Sequence, residues 1–437
     1  MSADRAVRPF ALSVVVPSYN RRASVEMVLH GLAAQRGVQL ADIEIIVMLD
    51  GSTDDSAVML DAWVRSGRLP GLRWHLRPNA GQAAARDYGA RDAVADVLLF
   101  LDDDVVPEPD LVASHLAWHA SGTHIAVLGD CEIVREPGNG WYLQNVWGWW
   151  EGRYASRVLR GRRPCYLDFC AGNVSLRRTD YLASGGFDPA FRGYGGEDYD
   201  LGYRLMQQGV HLVADRRVRA MHYHAFPGYD RLRRIRRQEG HADVVLGRKH
   251  LGLRAGLRLM KGDQEADRMI RVAFTSAGLS VAEIRTRTVW AVLCARLGAR
   301  MRWSTQLNML LTYAYWRGLY ESLGSWQALE EFRAGAIVPI HTVDISGGID
   351  EPPSDFWVNG PSDLRVVVGG DELGIVRIPG PVLSPLRATL ADRVADSLAG
   401  PLWMWADRTG TSLLPSSSWT GATVATATRS TDATAAP

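Results

Sequence analysis

The first hundred residues alternate between short apolar runs and amphipathic stretches. Leu12 to Pro17 is a β-branched run that predicts a buried first strand. Ser24 then caps a predicted helix with Val25, Val28, Leu29, Leu32 and Ala33 on one face. A second strand follows at Ile43 to Leu49, a weaker third at Leu72 to Leu76, and a fourth at Val97 to Leu101. Helices are predicted between them, one after Asp50–Asp55 and one opened by Asn79-Ala80-Gly81 and running to about Ala95. This alternation predicts a parallel, doubly wound α/β sheet whose strands end in polar turns. Tyr19, Asp50, Asn79 and Asp102 should therefore gather on one sheet edge.

The second half reads differently. A helix is predicted from about Glu197, with Leu201, Leu205 and Met206 inward and Gly209 as its stop, and a strand at Val218 to Met221. Residues 264–332 read as several helices. Ala336 to Ile340, Arg365 to Val368 and Leu373 to Ile378 read as short strands, with Gly369 to Glu372 as a hairpin turn and Leu383 to Leu398 as a helix. Pro415 to Pro437, rich in Ser, Thr and Ala, predicts disorder. The expected division is 10–230 for an α/β domain, 231–332 for a helical extension, 333–408 for a small α+β module and 409–437 for a tail.

Composition narrows the classes. The 437 residues carry a net charge of +1, so nothing global points to nucleic acid. Four cysteines without Cys-x-x-Cys spacing support neither a zinc ribbon nor a redox pair. The charged N-terminus does not read as a signal peptide, and no run is long enough to span a bilayer. A cytoplasmic protein is expected. Ten Lys/Arg against Glu239 and Asp243 in 231–261, interleaved with Leu251, Leu253, Leu257 and Leu259, read either as a solvated helix face or as a peripheral membrane contact.

Candidate chemistry centres on Asp102-Asp103-Asp104 after the fourth strand. Open α/β sheets bind ligands at the carboxyl ends of strands. Three adjacent acids either close a solvated turn or hold a hard divalent ion such as Mn²⁺ or Mg²⁺. Arg86 reads as a solvated helix face or a diphosphate ligand. His115 and His119 stand at helical i,i+4 spacing without the Glu of a zinc motif, which leaves them as surface or core histidines. Trp141 to Trp150 is aromatic-dense, suited to sugar faces or to packing.

Taken in order, Pro17-Ser18-Tyr19-Asn20, Asp50-Gly51-Ser52-Thr53-Asp54, Asn79-Ala80-Gly81 with Arg86, Leu101-Asp102-Asp103-Asp104, Asp168 to Asn173, Gly195 to Leu201 and Met221-His222 resemble the family 2 glycosyltransferases. The resemblance covers roughly residues 10–225 and implies the GT-A fold. It implies a nucleoside-diphosphate sugar donor, with UDP foremost and dTDP or GDP next. It implies that Pro17, Tyr19, Asn20, Asp50, Asn79, Gly81, Arg86, Asp102 and Asp103 serve the donor. A metal would sit at Asp102, Asp104 and His222, with His224 as the alternative histidine. Asp198 would be the general base of an inverting displacement. Trp149, Gly172, Asn173, Gly196 and Glu197 would face a glycan, lipid-linked or small-molecule acceptor. Two rivals stand beside this reading: a nucleotidyltransferase, for which the first loop lacks glycines and basic residues, and a non-catalytic sugar-binding protein. A homodimer through the helical extension is a further expectation.

Overall fold

A computed structural model of the chain describes residues 10–122, 124–134, 141, 164–223, 227–260, 267–336, 338–344, 362–368, 370–378 and 424–429. Trp149, His224 and the predicted 383–398 helix lie outside them. Contacts divide the chain into two units, one made of residues up to Ala242 together with Leu293–Trp303, the other of Asp243–Val292 and the residues from Ser304 onward.

The first unit begins with β1 (Leu12–Ser18), α1 (Arg22–Ala33), β2 (Ile43–Asp50), α2 (Ser56–Ser66), β3 (Leu72–Arg77), α3 (Gln82–Asp92) and β4 (Val97–Leu101). It continues with β5 (Val105–Pro107), α4 (Leu111–Ser121), β6 (Ile125–Ile133), β7 (Asn173–Arg177), α5 (Arg178–Ala183), α6 (Glu197–Gln207) and β8 (His211–His222). Eight strands form one sheet in the order β3-β2-β1-β4-β7-β6-β8-β5. Pairing is parallel from β3 to β4. It then turns antiparallel at β7, so the sheet is mixed where the alternation predicted a parallel one. The strand predicted at Val218–Met221 is the end of a much longer β8.

Both faces of the sheet are covered, which explains the unbroken apolar runs. Val14 and Val16 join one core with Val28, Leu29 and Leu32 of α1. Val15, one residue out of phase, joins the other with Ile46, Phe100 and the alanines of α3. Helix α3 presents small residues to the sheet. A Cβ on Gly89 would stand 2.5 Å from Val15 Cγ1, so this helix lies closer to β1 than a larger side chain permits. The chain leaves β1 toward β2 on one side and returns as β4 on the other. The carboxyl ends of β1 and β4 thus flank a switch point, where such sheets open a binding crevice.

Helix α7 (Tyr229–Lys249) runs across the boundary expected at 230/231, and contacts separate the units within it, after Ala242. The second unit contains the helices Asp267–Ala273 and Trp326–Ala334 and most of Val281–Arg296 and Arg300–Leu323. It also holds a four-stranded sheet ordered β11-β10-β9-β12, from β9 (Val338–Asp344), β10 (Ser362–Val368), β11 (Asp371–Ile378) and β12 (Val424–Arg429). The predicted hairpin is present between β10 and β11, with a bulge at Val366/Val367 and Gly370 at φ +93°. Strand β12 pairs antiparallel with β9. The stretch expected to be disordered therefore contributes backbone to a sheet.

Candidate active site

The three aspartates after β4 face three different ways. The backbone there is pinned: Asp102 N–H donates to Gly172 O at 3.2 Å, and Tyr223 N–H donates to Asp104 O at 2.9 Å. Asp102 Oδ1 accepts from Arg86 Nη2 at 2.6 Å and from Gln82 Nε2 at 3.1 Å, so it faces α3. Asp103 turns the other way, under β1. It accepts from Ser18 Oγ at 2.7 Å and Arg21 Nη1 at 3.2 Å, and burial lifts its carboxyl to about 7. Asp104 faces β8. His222 Nε2 lies 3.4 Å from Asp104 Oδ1, and Arg21 bonds its other oxygen. Although Asp104 is largely buried, the bonds from His222 and Arg21 hold its carboxyl well below the usual carboxylate range.

Arg86 is the hub of this cluster of acids. Its side chain is 2% exposed, so the solvated reading of this residue is excluded. Besides Asp102, its Nη1 lies 3.6 Å from Glu197 Oε1 and 3.7 Å from Asp198 Oδ1. One guanidinium thus joins an acid on the donor side of the motif series to both acids at the start of α6. Arg86 Nε and Nη1 and Glu197 Oε2 make no hydrogen bond among the described residues. Buried polar atoms of this kind are where a bound ligand places its own polar atoms.

The three acids of the first turn of α6 separate by environment. Asp200 is fully buried and clamped by Arg204 Nε at 3.0 Å and Nη2 at 2.6 Å, a structural pair. Glu197 is buried, and desolvation together with the adjacent Asp198 charge pushes its carboxyl up to about 7 against the pull of Arg86. Asp198 is the more exposed of the two, with its side chain 20% accessible, and Ala171 N–H donates to its Oδ2 at 3.2 Å. Gly196 caps this helix in the left-handed region, φ +85°, with a Cβ position 2.8 Å from the Phe191 ring. It shapes the helix start and is packed against protein.

The residues expected to serve the donor split between surface and scaffold. Tyr19 is 53% exposed at the end of β1, while Pro17 is buried within that strand. Asn20, at φ 53°, accepts through Oδ1 from Thr53 N–H at 2.7 Å and binds the β1 loop to the β2 loop. Asp50 is buried. Its carboxylate accepts from Ala80 N–H at 2.7 Å, Gly81 N–H at 2.9 Å and Asn79 Nδ2 at 3.1 Å, while Asn79 Nδ2 also donates to Asp50 O at 2.7 Å. In this structure Asp50 and Asn79 hold the loop before α3, and Asn20 holds its neighbour. The Cβ position of Gly81, at φ +95°, is 2.6 Å from Arg192 O, so only glycine fits there.

Of the residues expected at the acceptor, Gly172 meets the aspartate motif directly, for a Cβ there would stand 3.1 Å from Asp102 Oδ2. Asn173 faces away from Asp102–Asp104 and Glu197–Asp198, toward α4. It is 2% exposed, accepts through Oδ1 from His115 Nε2 at 2.9 Å, and donates through Nδ2 to Asp130 O and Val218 O at 3.2 Å. The acceptor role implied for Asn173 is thus corrected to a buried bridge between β7, β6, β8 and α4. His115 and His119 complete that bridge through Ser175 Oγ, at 2.7 and 2.8 Å, and burial lowers both to about 4. They are core histidines.

Arg21, Gln82 and Ser18 were not singled out by the sequence pattern, since each sits in or beside a polar loop where charge is ordinary. For a divalent ion, Asp104 and His222 adjoin and suit a hard cation. Among the described residues no group of three such side chains converges. Two protein ligands fit an ion whose shell is completed by substrate phosphates.

The glycosyl transferase family 2 model matches residues 13–184, and the model for the N-terminal domain of galactosyltransferase matches 159–226. The chain is 34% identical over 230 residues to a validoxylamine A glucosyltransferase of Streptomyces hygroscopicus subsp. jinggangensis (strain 5008), covering 47% of this chain and 53% of that protein. It is 27% identical over 248 residues to chondroitin synthase of Escherichia coli, covering 49% and 35%. The matched region thus spans about half or less of these relatives. A mannosyltransferase structure from Pyrobaculum calidifontis aligns at 18% identity and TM-score 0.44, over 71% of this chain and 89% of that one, too loosely to argue from. The ordered motifs from Pro17 to Asn173 fall within the matched stretch, and over residues 13–184 the chain is similar to glycosyl transferase family 2.

Proposed function

We propose that the chain moves a sugar from a nucleoside-diphosphate donor to an acceptor hydroxyl with inversion at the anomeric carbon. The observation that carries this is the Arg86 hub, which holds Asp102 and the Glu197–Asp198 pair around one buried cation. Asp198 is the general base. It is the accessible member of the pair, and an acceptor hydroxyl must reach it from solvent. Glu197 sits behind it, raised toward 7 and ion-paired with the same guanidinium at 3.6 Å, and keeps a second negative charge from accumulating against Asp198. This moves Glu197 from acceptor contact to support of the base.

Tyr19, exposed just past the end of β1, offers its ring to the donor base. Asp104 and His222 would hold Mn²⁺ or Mg²⁺, which supplies charge neutralisation for the departing diphosphate. Arg21, now bonded to Asp103 and Asp104, adds positive charge to the same side. UDP-glucose is the first donor to test, given the glucosyltransferase relative, followed by dTDP- and GDP-sugars. Acceptors range over glycans, lipid-linked sugars and small hydroxylated molecules.

The test is nucleotide release and donor binding across that panel, with Mn²⁺, Mg²⁺ or chelator, for wild type, Asp104→Ala and Asp198→Asn. The proposal expects metal-dependent donor binding lost in Asp104→Ala. It expects Asp198→Asn to bind donor normally and turn over at least a hundredfold more slowly. Failure of the wild type to bind any nucleotide sugar would leave a non-catalytic domain on the same fold.

A further inference from the structure

The basic 231–261 stretch was a candidate membrane surface, but its apolar side faces protein: Leu253, Leu257 and Leu259 are buried, and only Leu251 of the four leucines is exposed. A different segment has the missing combination. Between Leu293 and Trp303 one helix ends at Arg296, the chain turns through Gly298 at φ +72°, and the next helix starts at Arg300. The turn is well fastened: Leu297 N–H donates to Leu293 O at 2.9 Å, Ala299 N–H to Cys294 O at 2.8 Å and Trp303 N–H to Ala299 O at 3.0 Å. Cys294 and Trp303 form its inner side, each under 5% exposed, and Trp303 Nε1 donates to Tyr229 Oη at 3.0 Å.

The outer side is apolar and cationic. Leu293, Leu297 and Met301 follow one another four residues apart and are 41%, 79% and 80% exposed. Arg296, Arg300 and Arg302 beside them are also exposed, and the segment contains no acid. Large aliphatic side chains held out in water on a rigid turn lose free energy unless something covers them. The cover must also accept three guanidiniums with no carboxylate to neutralise them.

We propose that Leu293–Arg302 docks on an anionic lipid bilayer. Leu297 and Met301 enter the boundary between headgroups and acyl chains, and the three arginines meet lipid phosphates. The contact is monotopic, since no described helix is long and apolar enough to cross a membrane. A second copy would bring its own three arginines to the same face of an isologous contact, like charge against like. The inference stands independently of the reaction proposed above.

The test is sedimentation of the full chain with phosphatidylcholine vesicles, with and without phosphatidylglycerol, alongside light scattering for mass. Wild type should bind the anionic vesicles, and raising the salt should release it. Leu297→Glu with Met301→Glu should abolish binding while thermal stability is unchanged, because both side chains are exposed. Arg300→Ala with Arg302→Ala should weaken binding by roughly fivefold per arginine. The inference is overturned if wild type ignores anionic vesicles or if the double glutamate variant binds them as well as wild type. It is equally overturned if wild type is a dimer that the glutamate variant dissociates, with no vesicle binding by either.

Discussion

Replacing Arg86 with alanine tests the hub directly. The guanidinium is 2% exposed and lies within 3.7 Å of three carboxylates. Removing one member of a buried ion pair leaves its partner charged and uncompensated, at a cost of about 3–5 kcal/mol. For a domain of this size each kcal/mol lowers Tm by about 2–4 °C, so a fall of roughly 6–20 °C is expected. The defect must also depend on pH. Glu197 is already raised from its ordinary 4.5 to about 7, with Arg86 opposing the rise. Without Arg86 it rises further. A raised acid keeps its proton in the folded chain while the unfolded chain releases it, so stability falls as pH climbs from the unfolded value toward the folded one. The variant should therefore lose least near pH 5 and most near pH 8. Urea denaturation of wild type and Arg86→Ala at both values reads this difference. Arg86→Lys, which keeps charge but not the fork, should fall between them. An equal loss at the two pH values, or none, would sink the claim that this cation holds the acids of the site together.

The buried His115–His119 pair sets an acid limit. Both are lowered to about 4, so the unfolded chain takes up protons below about 6.5 that the folded chain refuses, and stability declines as pH falls from 6.5 toward 4. At full extent this amounts to about 3 kcal/mol per histidine, and His115→Gln with His119→Gln should flatten a Tm-versus-pH curve over that window. Gly196→Ala combines a left-handed backbone with a Cβ 2.8 Å from the Phe191 ring, and should lower Tm and shift α6 enough to reduce kcat more than donor affinity. Asp50→Ala removes the acceptor of three hydrogen bonds that hold Asn79, Ala80 and Gly81, and calorimetric donor titration should show affinity reduced by at least tenfold.

What the sequence made legible follows from which forces act locally. Strands β1, β2 and β4 were readable because burial on both faces forces an apolar run. The location of Asp102–Asp104 was readable because strand ends in such sheets carry ligands. The direction of each carboxylate was not, since it depends on which element packs beside the turn: α3 for Asp102, β1 for Asp103 and β8 for Asp104. Asn173 was misplaced for a similar reason. Strand β7 pairs antiparallel between β4 and β6, and its first side chain meets α4 beneath the sheet, a long-range pairing that no local pattern encodes. Arg86 is the instructive case, because its signal was present. The sequence Ala83-Ala84-Ala85-Arg86-Asp87-Tyr88-Gly89-Ala90 sets an arginine among four alanines and a glycine. A helix built that way packs tightly against a sheet, and a guanidinium on it is carried inward unless it lies on the outer face. Once inside it requires carboxylates, and the chain supplies them from Asp102 sixteen residues later and from the distant Glu197–Asp198 pair. An arginine directly after a run of alanines in the first turns of a helix that follows a strand therefore predicts buried acids elsewhere in the chain, and the acids to look for are those whose own local context offers them no cation.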